Sequence, residues 1–357
     1  MVGRATGSVR LEQFLFGGPT ADAIIDLLVR KIDDGVRVQI TLDRARGMLP
    51  AVRRECAAAY RRLRAAGIDV VLSDTRPLPD APGRPATLHN KILVVDDREA
   101  LVGGTNVGTP FFRHHDVMIH LVGPAADALG RQFDFDRQFT LDRGRPRPEG
   151  SQALLPFSEM GAGSCAPGES WARVLGCGIG RRTTLPALVR NLRAARESVL
   201  VTISEIGRTG LIGELIAAKR RGIDVRVIVD PQDLQEYLPP ALGPLRRRFP
   251  KGVLNANAVQ ELLAAGVAVR QFTVGGEFAI LHMKMALFDA ATAIVGSTNW
   301  TRGGFEWVNE TDVELCGGTV IDTLRAGFSL DWERSTPALP PSRFIRFLCS
   351  VYERSVQ

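Results

Sequence analysis

Several things are scarce in this chain of 357 residues, and each shortage excludes something. Aromatic residues make up only 6%, which leaves few rings for stacking on unpaired bases. Cysteines are few and odd in number (Cys56, Cys165, Cys177, Cys316, Cys349), with no C-x-x-C pair, so neither a zinc site nor a disulfide framework is expected. Cys165 and Cys177 are placed to pair across the middle of the chain, but free thiols are the expectation. No apolar run approaches the roughly 18–20 residues that span a bilayer. The opening Met-Val-Gly-Arg-Ala-Thr-Gly has no signal-peptide core. The expected compartment is the cytoplasm, with peripheral attachment to the inner membrane face left open. Lysine is scarce too, so arginine supplies nearly all of the positive charge behind a net +6. That excess suits an anionic partner such as phospholipid headgroups or nucleic acid, although charge alone says no more than solubility. With 45% hydrophobic and 24% charged residues, a sizeable globular core is affordable.

What is present is a repeat. Ser8 to Phe16 matches Ser198 to Ile206, and Gly35 to Asp43 matches Gly222 to Asp230. Ala65 to Val70 matches Ala264 to Val269, and Leu88 to Gly108 matches Leu281 to Thr301, all in the same order. The segments GVRVQITLD and GIDVRVIVD are short, β-branched and apolar, as buried strands are. Helical spacing follows in 21–32 and 211–220. Strand and helix in alternation predict an α/β fold, with helices covering a central sheet in each of two pseudo-twofold halves. The second half carries a leading helix, 185–196, that the first lacks. The expected divisions are a first half over 1–143, a Gly/Ser/Pro-rich linker over 144–170, a second half over 171–335 and a tail over 336–357.

The same polar pattern, H-x-K-x(4)-D-x(6)-G-[GS]-x-N, stands in both halves. It comprises His89, Lys91, Asp96, Gly103, Gly104 and Asn106, then His282, Lys284, Asp289, Gly296, Ser297 and Asn299. A single His-x-Lys on a strand is ordinarily a surface feature, and a single Gly-Gly-x-Asn a turn. Two copies at identical spacing in a repeat point to a site. Strand parity puts His and Lys on one face and the Asp, seven residues after the His, on the other, which gives the Asp a structural hydrogen-bonding role. The glycines let the backbone turn closely and return each Asn to the site.

This kit suits a phosphodiester. One imidazole attacks phosphorus and a second protonates the leaving alcohol, while two lysines and two amides hold the anionic oxygens. No metal or other cofactor is needed. Each imidazole also needs a carboxylate to orient it. Asp116 follows His89 by 27 residues and Glu310 follows His282 by 28, each before an apolar run. Asp312 competes with Glu310, and His114 and His115 are expected to be exposed loop residues.

These motifs resemble those of the phospholipase D superfamily over about residues 8–335, and look most like bacterial cardiolipin-synthase and phospholipase-D-like proteins. Arg113 through Asp116 to Gly123-Pro124 resembles the segment after the first motif in cardiolipin synthases. The resemblance implies a duplicated α/β/α sandwich whose halves share one active site, so a monomer would be complete. It implies a phosphohistidine intermediate with His89 as nucleophile and His282 as general acid. Asp116 and Glu310 would each bond a catalytic histidine, often that of the opposite half. Cardiolipin synthases often carry N-terminal membrane helices, none of which is seen here, and Gly-Ser-Thr-Asn-Trp-Thr is a form also common in nuclease-like members. A phospholipid substrate is expected first, nucleic acid second, and an inactive binding module third. Two stretches bear on this choice. Tyr237 to Lys251 sets apolar residues beside Arg246, Arg247 and Arg248. In the tail, Phe344, Ile345, Leu348, Val351 and Tyr352 share one helical face near Arg343, Arg346 and Arg354. Docking of that tail helix on its own domain is the simpler expectation.

Overall fold

The computed structural model describes every residue except 46, 47, 49, 74–76, 79, 80, 86, 143–164, 166, 167, 179, 180, 232–251, 274, 276, 277 and 357. Most of the linker and the whole of the Tyr237 to Lys251 stretch therefore lie outside the described residues.

The first half runs β1 (Ser8–Gln13), α1 (Gly18–Asp33), β2 (Arg37–Leu42), α2 (Pro50–Ala65) and β3 (Asp69–Leu72). A hairpin of β4 (Pro77–Leu78) and β5 (Ala81–Pro85) follows, then β6 (Thr87–Leu88), β7 (Lys91–Val95), β8 (Glu99–Gly103), β9 (His114–His115), β10 (Met118–Val122) and α3 (Pro124–Leu141). The second half begins β11 (Trp171–Cys177), α4 (Thr184–Ala194), β12 (Ser198–Ile203), α5 (Gly210–Arg220), β13 (Asp224–Val229), α6 (Ala256–Ala264) and β14 (Ala268–Gln271). It continues with β15 (Ile280–Leu281), β16 (Lys284–Phe288), β17 (Thr292–Gly296), α7 (Arg302–Glu306), β18 (Val308–Cys316), α8 (Gly318–Arg334), β19 (Thr336–Pro337) and α9 (Arg343–Val356).

The first sheet has the order β10-β8-β7-β1-β2-β3, with β1, β2 and β3 parallel and β7 antiparallel to β1. The second repeats it as β18-β17-β16-β12-β13-β14, extended at the edges by β11 and β19. The periodicities explain the layers. In α1 the buried residues Ala21, Ile25 and Leu28 form one stripe and meet Val9, Leu11, Val38 and Ile40 of the sheet. An equivalent core lies under α4, α5 and α6 in the second half. A third core is shared. Ile92, Val94 and Val102 of one sheet and Met285, Leu287 and Val295 of the other enclose apolar faces of α3 and α8. The halves are thus joined through a common apolar layer.

A buried polar cluster joins them as well. Arg181, from the second half, pairs with Asp136 of α3, whose other oxygen accepts from Asn90 (3.0 Å) and Gln132 (2.7 Å). Asn90 also donates to Glu12 at 2.7 Å. Burial raises the proton affinity of Glu12 and Asp136, with their mutual charge adding to it at Glu12.

The expectation of free thiols fails at one pair. Cys165 and Cys316 form a disulfide, with Cα atoms 5.5 Å apart. Cys177 is buried and free, as is Cys349. The strand β11 explains the choice: it lies antiparallel to β18 with Trp171 opposite Cys316, which brings the chain just before Trp171 to that edge.

Candidate active site

Two very short parallel ladders build the site. In the first, Thr87 and Leu88 of β6 pair with Val308 and Asn309 of β18, and the His89 N–H donates to the Asn309 carbonyl at 2.9 Å. In the second, His114 and His115 of β9 pair with Ile280 and Leu281 of β15, and the His282 N–H donates to the His115 carbonyl at 2.8 Å. Each ladder crosses from one half to the other. One residue further along, each brings a histidine to a carboxylate. Nδ1 of His89 lies 2.9 Å from both oxygens of Glu310, and Nδ1 of His282 lies 2.7 Å from Asp116. The ring nitrogen facing away from the carboxylate is Nε2 in both cases.

The lysines follow from strand parity. Lys91 and Lys284 open β7 and β16, and each ammonium donates to the carbonyl of the histidine two residues before it (2.6 Å for Lys91). Lys91 lies 5.3 Å from the centroid of Phe14, whose ring packs edge-on against His89 at 4.7 Å. Asn106 and Asn299 each leave a buried Oδ1 without a hydrogen-bond partner, the same unmet polar end in both halves. The glycines are forced by close approach. A Cβ on Gly103 would sit 2.1 Å from the Val117 carbonyl, and one on Gly104 would sit 2.3 Å from Asp116 Oδ1. In the second half Ser297 stands in place of Gly104, and its hydroxyl accepts from Thr311 N at 3.1 Å.

The motif aspartates lie at the far ends of the strands, about 23 Å from their histidines at seven residues of extended chain. Asp96 and Asp289 have φ of 53° and 52°, within turns that link β7 to β8 and β16 to β17. Asp96 accepts from the N–H groups of Thr6, Gly7 and Ser8, and Asp289 from those of Arg196, Glu197 and Ser198. They staple the chain entering β1 and β12. Slight burial opposes ionisation of Asp96, but the donors at Ser8, Thr6 and Gly7 prevail and bring it down to about 2.

The site is electrostatically lopsided. Burial, with Lys91 and Lys284 beside it, holds His89 well below its usual value. Burial and Lys284 bring His282 down to about 3 against the hydrogen bond to Asp116. Burial and Lys284 also bring Lys91 down to about 7, against the attraction of Glu310. Burial pushes both carboxylates up, but the bond from His282 and the nearby positive charge return Asp116 below its ordinary range, whereas Glu310 rises to about 8. Charges from each half perturb groups of the other, so these residues form one electrostatic cluster.

One expectation needs correction. His114 and His115 are not exposed loop residues: β9 inserts them between the halves. The His114 ring lies 5.2 Å from that of His282, and burial brings it down to about 4. His115 Nε2 lies 2.8 Å from Asp331, with its ring stacked on Phe272. The choice between Glu310 and Asp312 is decided by position along β18: the two share a face, but only Glu310 directly follows the Val308–Asn309 ladder that delivers His89. Asp312 bonds the hydroxyls of Thr184 (2.9 Å) and Thr298, away from either catalytic-motif histidine. Phe14, Asp43 and Glu205 were not singled out by sequence. Asp43 accepts from Leu88 N at 3.0 Å and so fixes the residue before His89. For Phe14 and Glu205 the available signal was divergence between the repeats, since Phe14 and Leu15 correspond to Ser204 and Glu205; for Asp43 it was repetition, since it corresponds to Asp230.

Comparison with known proteins agrees with this architecture. Residues 1–135 and 188–332 match the family described as cardiolipin synthase, PLD-like domain. Cardiolipin synthase A of Cronobacter sakazakii is 28% identical over 326 residues, covering 88% of this chain and 60% of the relative. Probable cardiolipin synthase YwiE of Bacillus subtilis is 23% identical over 355 residues, covering 94% and 63%. The chain thus spans about three fifths of the length of these relatives. Among solved structures, phosphatidylserine synthase of Haemophilus influenzae superimposes with TM-score 0.67 at 13% identity, over 99% of this chain and 88% of that one. Polyphosphate kinase of Porphyromonas gingivalis gives 0.58 at 14% identity, over 99% and 49%. These two report the fold alone. With four fifths of its residues' span covered by two matched blocks, one per half, the chain belongs to the phospholipase-D-like domain family of cardiolipin synthases.

Proposed function

We propose that the protein is a phosphatidyl-transferring phosphodiesterase of the phospholipase D type, acting on phospholipids through a phosphohistidine and without a metal ion. The observation that carries this reading is the pair of histidines, one from each half, each with Nδ1 against a carboxylate of the other half. His89 Nε2 attacks phosphorus and the P–O bond to the departing alcohol breaks. His282 Nε2 gives its proton to that alcohol and then removes one from the incoming alcohol or water. The new oxygen displaces His89 and the site is restored. Lys91 and Lys284 offset the charge of the equatorial oxygens, and the amide N–H groups of Asn106 and Asn299 donate to them. The role assignment draws on the asymmetry of the carboxylates. Asp116 stays ionised and, together with the anion of a bound diester, favours on His282 the imidazolium that a general acid requires, against the burial that holds it down in the free site.

The names of the sequence relatives support phosphatidylglycerol as a substrate to try first. The test incubates the protein with phosphatidylglycerol vesicles in EDTA, and in parallel with single- and double-stranded DNA and RNA. Release of glycerol with formation of cardiolipin or phosphatidic acid, lost in His89→Ala, is expected. Nucleic-acid cleavage without lipid turnover would replace the substrate, and a requirement for added divalent metal would sink the mechanism.

A further inference from the structure

Helix α9 presents two apolar faces, and its own domain accounts for one. Ile345, Leu348 and Cys349 pack on Val253 and Ala256, and Asn257 donates to Ser350 (3.0 Å) and Glu353 (2.8 Å). The expectation that the tail docks on its own domain is met by this face. The other stripe is Phe344, Phe347 and Val351, spaced i, i+3, i+7, and these residues are 63%, 59% and 47% exposed. Arg343 and Arg354 stand exposed alongside it, and Leu339, just before the helix, is 78% exposed. Large apolar residues in a row, edged by arginines, are the composition of a helix lying in the headgroup layer of an anionic membrane.

The position of the helix gives the face a purpose. Tyr352, on the docked side, donates from its hydroxyl to Glu205 at 3.0 Å. Glu205 follows β12 at the end of the second sheet that carries the site, within electrostatic reach of Lys284. Val253 and Leu254 precede Asn255, whose amide bonds the backbone of Ser204, Ile206 and Asp230 around the same edge. The inner side of α9 is thus tied to the rim of the site while its outer side faces away, apolar and cationic.

We infer that α9 is an interfacial helix that seats the active-site rim on an anionic phospholipid surface through Phe344, Phe347 and Val351, with Arg343 and Arg354 against the headgroups. This rests on the phospholipid reading of the site, but its test reads binding and not turnover. Flotation is measured with phosphatidylcholine vesicles that contain or lack phosphatidylglycerol, using His89→Ala so that lipid is not consumed. The parent protein is expected to float with the anionic vesicles. The combined Phe344→Ser, Phe347→Ser, Val351→Ser variant should lose roughly tenfold or more in vesicle affinity at an unchanged unfolding midpoint. The pair Arg343→Glu, Arg354→Glu, which alters only exposed charge, should lose the preference for anionic vesicles. Failure of the parent to float, undiminished binding by both variants, or a change of oligomeric state in light scattering in place of lost vesicle binding would overturn the inference. The last outcome would make the stripe a contact between copies of the chain. Binding that depends on α9 in a protein that cleaves only nucleic acid would instead refute the substrate proposal and leave the helix assignment standing.

Discussion

At the residue scale the two half-sites differ where their motifs do not. Asp116 and Glu310 occupy matched places, yet one is held ionised and the other is pushed up to about 8. Asp116→Asn is expected to leave His282 with the wrong tautomer and to lower kcat by roughly 10²–10⁴, as loss of a positioned acid–base group does. Single-turnover kinetics would check it, and an unchanged rate would contradict the role. Removing the amide in Asn106→Ala or Asn299→Ala should cost roughly 10²–10³ in kcat with little change in KM, if the amides hold charge that develops in the transition state. Lys91 predicts a pH dependence for binding. It stands near 7 in the free site, and a bound diester anion raises it. Below about pH 7 the lysine is protonated before and after binding, so affinity is level. Above that value binding takes up a proton, and affinity falls by up to roughly tenfold per pH unit. Titration of a non-hydrolysable diester analogue by calorimetry, in buffers of different ionisation enthalpy, measures the uptake. A profile that is flat across pH 7 would contradict the shift. The histidines, lysines and asparagines were legible because one spacing occurs twice. Phe14 and Glu205 were not, because a feature held by only one copy has no second occurrence to mark it.

At the scale of elements, the strands that matter most to the site are the least visible in the sequence. β2 and β13 announce themselves by β-branched runs, and α1 and α5 by their stripes. β6, β9 and β15 have two residues each, too few for any periodicity, and their partners lie in the other half. That is why Asp116 and Glu310 could be suspected from position while His114 and His115 were misread as loop. The staple role of the motif aspartates was legible from parity alone. Asp96→Ala or Asp289→Ala should cost about 1–2 kcal/mol, comparable to loss of a helix cap, because backbone N–H groups lose their acceptor. Urea unfolding would show this, with kcat unchanged if the aspartates serve only the fold. The disulfide between Cys165 and Cys316 was not foreseen, since 151 residues separate its partners. A disulfide persists in oxidising surroundings. Peptide mapping without reductant should find that pair, with Cys177 and Cys349 alkylated only after unfolding.

At the scale of the whole molecule, the apolar layer and the ion pair between Arg181 and Asp136 hold the halves in the register that the site requires. Arg181→Leu leaves Asp136 buried without its counter-charge and should cost about 3 kcal/mol or more. Because Asp136 also bonds Asn90, the residue next to His89, activity should fall together with stability. The twofold repeat, the α/β layers and the shared site could be read from the alignment of one half with the other. The cluster around Asp136 could not, because its charged members are scattered over elements that only the fold brings together. The central claim is that one histidine carries the phosphoryl group while the other moves the proton. Its most direct test is rapid acid-free quenching of the protein with phosphorus-labelled phosphatidylglycerol, followed by peptide mapping of any base-stable, acid-labile adduct. Label on His89 in the parent protein that is absent from His89→Ala is the predicted result. Label on His282 that persists in His89→Ala would reverse the two roles, and no labelled histidine in an actively turning-over enzyme would contradict covalent catalysis altogether.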